Sequence, residues 1–326
     1  MIRLVRVEVR RLLARRLLRV LAAVLLAGLA YGAVTTALHS SRDLAGARAK
    51  AERQVAQFGG QVQEEKKRCE AAQAAGRRPP GATCEFMGPT AENFYVDPRY
   101  NFAHSVPNAV AGAIVGVAVL GVVLGASAIG AEWSAGTFAG LLTWEPRRLR
   151  VLAAKLLALA AVVVAIALAA VAVQLLVYWG IAGTRGTLAG TTSRVVRDVV
   201  WRGLRGVGLV GLLTAAAAAT AGILRSTAGA LGAAAGYLVA FEIFSRNLRP
   251  GWTRWLLSSN AGALVNGKVQ IYPPASSSAT YGPVTGPFPS PRVFTLHASR
   301  AAIVLSLGTA VLVGLWGLLL RRRDVT

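Results

Sequence analysis

Gly262-Ala-Leu-Val-Asn-Gly267-Lys268 has the spacing G-x-x-x-x-G-K. In that pattern a glycine-rich turn cradles phosphate oxygens on backbone N–H groups and a lysine reaches the terminal phosphates. The chemistry is incomplete here. The next residue must offer a hydroxyl to Mg2+, and it is Val269, with no apolar strand leading in. Other candidates for chemistry are sparse. His39, His104 and His297 are scattered, with no H-x-x-x-H spacing for a metal and no Ser/His/Asp grouping. Glu242 is the one acid set in apolar sequence, with Arg246 one turn later. That spacing suits either an interfacial ion pair or contact with a passing substrate. No catalytic residue, metal or cofactor is therefore expected in this chain.

The remaining reactive residues are Cys69 and Cys84, the only cysteines. They flank a turn-forming Gly-Arg-Arg-Pro-Pro-Gly-Ala stretch that can bring the sulfurs together. Two lone cysteines do not make a metal site. In an oxidising medium they are expected to form a disulfide, stabilising the loop by about 3 kcal/mol in the chain-entropy model.

The elements that position these residues follow from composition. The chain has 326 residues, 54% of them hydrophobic and 15% charged, and the apolar ones arrive in long blocks. About 20 apolar residues cross the ~30 Å hydrocarbon of a bilayer as a helix. Spans are expected at 17–38, 107–130, 151–179, 206–224, 227–244 and 299–320. The fold class is thus an all-α membrane protein of six transmembrane helices. The first span is longer than a signal-peptide core and reads as an uncleaved anchor. The formal charge of +22 is accounted for by arginines at lipid headgroups; no basic face interleaved with aromatics points to nucleic acid.

Arginines dominate both ends, from Arg3 to Arg19 before the first span and from Arg321 to Arg323 after the last. Both termini are therefore expected in the cytoplasm. Residues 1–38 then hold a basic N-terminal stretch and the first span. Residues 39–106 form an outer helical segment, read as two short helices broken at Gly59-Gly60. Residues 107–244 hold spans two to five, with an amphipathic helix near 190–204 lying on the outer surface. A Pro-, Ser- and Gly-rich outer loop within 245–298 precedes the sixth span and basic tail at 299–326. G-x-x-x-G pairs at Gly28/Gly32, Gly112/Gly116, Gly121/Gly125 and Gly232/Gly236 allow close helix approach. Abundant Ala, Gly, Val and Arg suggest a GC-rich bacterial genome and hence a bacterial cytoplasmic membrane.

Between spans two and three, Glu132 stands four residues before Gly136-Thr137, followed by Leu141-Leu142, Pro146, Arg148 and, seven residues on, Lys155. This arrangement resembles the cytoplasmic loop of ABC-2 type transporter permeases. The Arg322-Arg323-Asp324 ending and the short Leu224–Ala228 link are also similar to that family. The resemblance implies that 2–16 is an interfacial elbow helix leading into the first span, and that 132–148 is a coupling helix seated in a cleft of a separate ATPase, with Phe138, Leu141 and Leu142 offered to that partner. It implies two ATPase copies holding ATP and Mg2+, a second permease protomer forming a homodimer, and contact with membrane lipids. It also implies a substrate path lined by spans two and five, for which Tyr237, Phe241 and Glu242 are the candidates.

Two functions fit these readings. One is a permease subunit exporting a hydrophobic or amphipathic substrate: a drug, a peptide antibiotic or a lipid. The other is a membrane scaffold that passes ATP-driven motion to an outer partner through 42–105, with nothing crossing. A secondary transporter is disfavoured by the near absence of intramembrane charge and of an inverted repeat.

Overall fold

Ala, Leu and Val fill the apolar runs, and a helix satisfies their backbone N–H and C=O groups internally, as hydrocarbon demands. The computed structural model describes residues 1–75, 84, 88–138, 140, 147–244, 250–271 and 294–322. These fall into two compact units. The first comprises Met1–Gly32, Ala103–Val177 and Thr191–Thr326; the second comprises Ala33–Phe102 and Tyr178–Gly190.

In the first unit, α1 (Ile2–Ala14) breaks at Arg15, whose backbone is extended, and α2 (Arg16–His39) follows. Then come α5 (Phe102–Ser134), α6 (Arg148–Thr184), α7 (Ser193–Leu224), α8 (Thr227–Tyr237), α9 (Leu257–Asn266) and α10 (Ala298–Arg322). A two-stranded antiparallel hairpin, β1 (Lys268–Ile271) with β2 (Phe294–His297), pairs Val269 with Leu296. Among the described residues five helices are long and apolar enough to cross a membrane: α2, α5, α6, α7 and α10. The fifth expected span is shorter. α8 passes at Leu238 into a π-helical turn ending at Ile243, and Thr227–Ile243 falls short of the other five.

One further expectation about the spans changes. Residues 190–204 hold no separate surface helix, because Ser193–Leu224 is one continuous 32-residue helix. Gly203 and Gly206 are buried within it, so the helix runs unbroken through the junction where the charged and apolar stretches meet.

α5, α6 and α7 bury the side chains that make the core, among them Val110, Val117 and Leu124 from α5, Leu159 and Val163 from α6, and Val210 from α7. Close approach is built on small residues: a Cβ on Gly125 would lie 2.6 Å from the Thr214 carbonyl oxygen. The Gly121/Gly125 pair thus faces α7, as ordinary intrachain packing. α2, by contrast, buries only Leu18 and leaves Val20, Val24, Leu26 and Val34 more than half exposed. An apolar helix with so little covered needs lipid or another protein chain around it.

In the second unit, α3 (Leu44–Ala74) is one 31-residue helix and not two. Two glycines cost about 1 kcal/mol each, and the helix is supported through them. Asp43 accepts from Gly46 N at 2.8 Å, the Phe58 ring stacks at 5.1 Å on Phe94 of the short α4 (Ala91–Phe94), and Arg68 pairs with Glu64 at 2.9 Å. The Cys69–Cys84 disulfide is formed. Ser40 ties the unit together, donating to Arg185 O at 2.8 Å and accepting from Tyr100 N at 2.9 Å. Arg99, hydrogen-bonded to Asp97, holds that carboxyl down at about 2, so the pair is ionised at any ordinary pH.

Candidate functional site

The ends of α1, α5 and α6 meet around Lys155, the only charged residue of an otherwise apolar stretch from 151 to 184. Lys155 is 2% exposed. Its Nζ lies 2.6 Å from Glu132 Oε2 on α5 and 3.1 Å from Glu8 Oε1 on α1. Arg15, in the break between α1 and α2, donates to Glu132 Oε1 at 3.1 Å. The same guanidinium donates to the carbonyls of Ser127 and Ala128, each at 3.3 Å. Two cations and two anions thus balance largely out of water, with the exposed Arg11 reaching Glu8 from outside at 3.5 Å. Such a set contributes little net stability, because desolvation offsets attraction, but removing one member strands the others. What it specifies is geometry: α1, the break at Arg15, α5 and α6 share one set of ionic contacts.

Beside the ions lies a cationic–aromatic layer. Trp133 stacks on Phe138 with ring centroids 4.6 Å apart, and Arg225 sits 4.6 Å over the Trp133 ring. Lys155 lies 5.9 Å from the Phe138 ring. The layer therefore carries contact from α5 to α6 and to the α7–α8 link.

The turn after α5 is set by Gly136, whose φ of +69° is open to glycine and strained for other residues by about 1–2 kcal/mol. Gly136 N donates to Trp133 O at 3.1 Å, and Thr137 Oγ1 to Glu132 O at 3.3 Å. The helix thus ends in a left-handed glycine, a standard C-terminal stop. Ala135, Gly136, Thr137 and Arg147 are exposed.

Several expected roles shift. Glu132 points into the ionic cluster and not toward a partner, because Lys155 and Arg15 claim both its oxygens. Phe138 is fully buried, so it is an internal strut of the turn and not an anchor offered outward. Arg148 donates to Leu320 O at 2.7 Å, fastening the start of α6 to the last turn of α10. Leu141, Leu142 and Pro146 lie outside the described residues.

Tyr237, Phe241 and Glu242 sit together but serve a neighbouring helix. The Tyr237 hydroxyl accepts from Leu257 N at 3.0 Å. Glu242 Oε1 accepts from Ser258 N at 2.8 Å, and Ser258 Oγ donates to Oε2 at 2.5 Å. Both side chains thereby cap the free N–H groups at the start of α9. Phe241 stacks on Tyr237 at 5.4 Å and is half exposed. The expected partner Arg246 lies outside the described residues. The G-x-x-x-x-G-K stretch runs from helix α9 into strand β1, the reverse of the strand-to-helix order a phosphate loop needs. Among the described residues no group of three or more His, Cys, Asp or Glu could hold a metal.

The sequence reading passed over Glu8 and Arg15. A signal was present: Glu8 is the only acid before Asp43 in a strongly basic stretch, and Lys155 the only cation within its span.

Long apolar helices tied at one end by a buried, charge-balanced cluster define a multi-pass α-helical membrane protein. Within that class, the model of the ABC-2 family transporter proteins matches residues 3–325, and the chain belongs to this family. Among curated proteins and among solved structures, none matches it significantly.

Proposed function

We propose that this chain is the permease subunit of an ATP-binding cassette exporter, moving a hydrophobic or amphipathic substrate with ATP hydrolysed by a separate subunit. Family membership over nearly the whole chain supports the transport role. The observation that carries the coupling role is the Glu8–Lys155–Glu132–Arg15 cluster directly behind the exposed turn at 135–137. A push on that turn reaches α1, α5 and α6 together, since one set of ion pairs holds all three. In this reading both termini and 132–148 face the cytoplasm of a bacterial cell, and two protomers recruit two ATPase subunits. α2, apolar and largely uncovered, meets the partner protomer or lipid. Tyr237, Phe241 and Glu242 shape the path through their hold on α9.

A second reading has one specific observation in its favour. The 31-residue α3, closed by a disulfide and outside the spans, is a stiff lever suited to pushing on an outer partner. Substrate-stimulated ATP hydrolysis favours export over this mechanical role.

The purified chain alone is expected to hydrolyse no ATP, because its one phosphate-loop spacing runs in the wrong structural order. Phosphate release by the pure chain above a no-enzyme blank would overturn the assignment of hydrolysis to a separate subunit.

A further inference from the structure

α7 carries a second cluster at the end remote from Arg225. Asp198, Arg202 and Arg205 on α7 line a pocket of about 320 Å3 with Asn266, Lys268 and His297 from the α9–β1 turn and the end of β2. Arg202 is held in place, its Nη1 donating to Asn266 Oδ1 at 3.0 Å. Gly267, at φ +86°, leaves the turn bare where a Cβ would meet Arg205 Nη1 at 3.0 Å. The guanidinium can therefore lie against the turn. Among the described residues no ion pair includes Arg205, Lys268 or Asp198. Three cations thus converge on one space with a single acid among them and no direct neutralisation. This contrasts with the balanced cluster around Lys155.

The position of the pocket says which anion would reach it. Arg205 on α7 and Arg225, the residue that caps its C-terminal end, are 20 residues apart, and 206–224 carries no charge. At 1.5 Å per residue that separation is about 30 Å, the thickness of the hydrocarbon layer. With Arg225 at one boundary, the pocket lies at the headgroup level of the other. Trp201, 53% exposed, stands in the pocket wall, at the depth where tryptophan favours the membrane interface. Arginine forks and a lysine match the several acceptor oxygens of a phosphate, and at this depth phosphate arrives on lipid.

We propose that this pocket binds the phosphate of an anionic phospholipid headgroup. The site is distinct from the coupling end and from the substrate path, and its occupancy would fix α7 against the α9–β1 turn.

The test is native mass spectrometry of the full-length protein from nanodiscs of equal phosphatidylglycerol and phosphatidylcholine. Wild type is expected to retain phosphatidylglycerol in preference. Arg205→Gln/Lys268→Gln, which removes two charges without touching the core, should weaken that retention about 30-fold. Arg147→Gln, at the opposite end of the bundle, should leave it unchanged. Equal retention of the two lipids by wild type, or undiminished phosphatidylglycerol on the double variant, overturns the proposal. Inorganic phosphate distinguishes the source. Competition by phosphate against retained lipid supports phosphate as the recognised group; thermal stabilisation by phosphate without any lipid retention overturns the lipid assignment. Should the double variant fail to purify, Lys268→Gln alone, on an exposed strand residue, carries the same comparison with a smaller loss.

Discussion

Lys155→Met is expected to be among the most damaging single substitutions in this chain, lowering stability by about 3–5 kcal/mol. Methionine fills much of the same volume but leaves Glu8 and Glu132 facing each other's charge without the ammonium that lies within 3.1 Å of both. Arg15 retains its bond to Glu132, so the acutely stranded group is Glu8, whose other ionic partner, the exposed Arg11, is 3.5 Å away. Adding Glu8→Gln to Lys155→Met should therefore recover a large part of the loss, because a neutral amide replaces the stranded carboxylate. The measurement is the midpoint of thermal unfolding in detergent for wild type, both single variants and the double. Additive losses in the double variant would mean the two side chains do not act as a pair. A wild-type midpoint for Lys155→Met would mean the cluster is not buried as described.

The second large effect is expected at Gly222→Val. A Cβ built on Gly222 lands on the indole of Trp316, which is 1% exposed and enclosed by the core. The ring cannot swing away without opening the α7–α10 contact, so overpacking should cost about 1–3 kcal/mol or more. Gly232→Ala is the matched control. Nothing lies within 4 Å of its added methyl, and replacing glycine within a helix should gain up to about 1 kcal/mol. Opposite signs from two glycines in neighbouring helices are the expected result, read from the same unfolding midpoints. Equal effects would show that general helix propensity, and not contact with Trp316, governs both.

These contrasts mark how far the sequence alone could go. Long apolar runs located α2, α5, α6 and α10 to within about five residues at each end, because hydrocarbon leaves the backbone few other forms. Hydropathy cannot see where a helix ends against its neighbours. It therefore divided Ser193–Leu224 at the change from charged to apolar residues, while Val199, Gly203 and Gly206 pack as one face. It also broke α3 at two glycines that capping and aromatic stacking carry through. In the loop, residue spacing picked out Glu132, Gly136, Thr137 and Arg148 without saying what each would face, and Phe138, expected to be offered outward, is buried. Whether a side chain serves a partner or the interior depends on what stands opposite. For Glu132 that is Lys155 and Arg15; for Phe138 it is Trp133. Glu8 was legible only as an anomaly of charge, since its counterpart is 147 residues away along the chain.

Engagement of a separate ATPase at the turn after α5 is tested by Ala135→Trp. Ala135 is exposed and only its backbone is hydrogen-bonded, N–H to Ala131 O at 3.0 Å. The indole would add bulk solely to the outward face and leave the ionic cluster behind it intact. The measurement is ATP hydrolysis by the complex isolated through a tag on this chain, with the co-isolated subunit quantified and unfolding of the permease recorded in parallel. A wild-type unfolding midpoint is expected together with a loss of most bound ATPase; an interface disruption of about 2 kcal/mol corresponds to ~30-fold weaker assembly. Full ATPase binding and full hydrolysis in Ala135→Trp would contradict engagement at this turn.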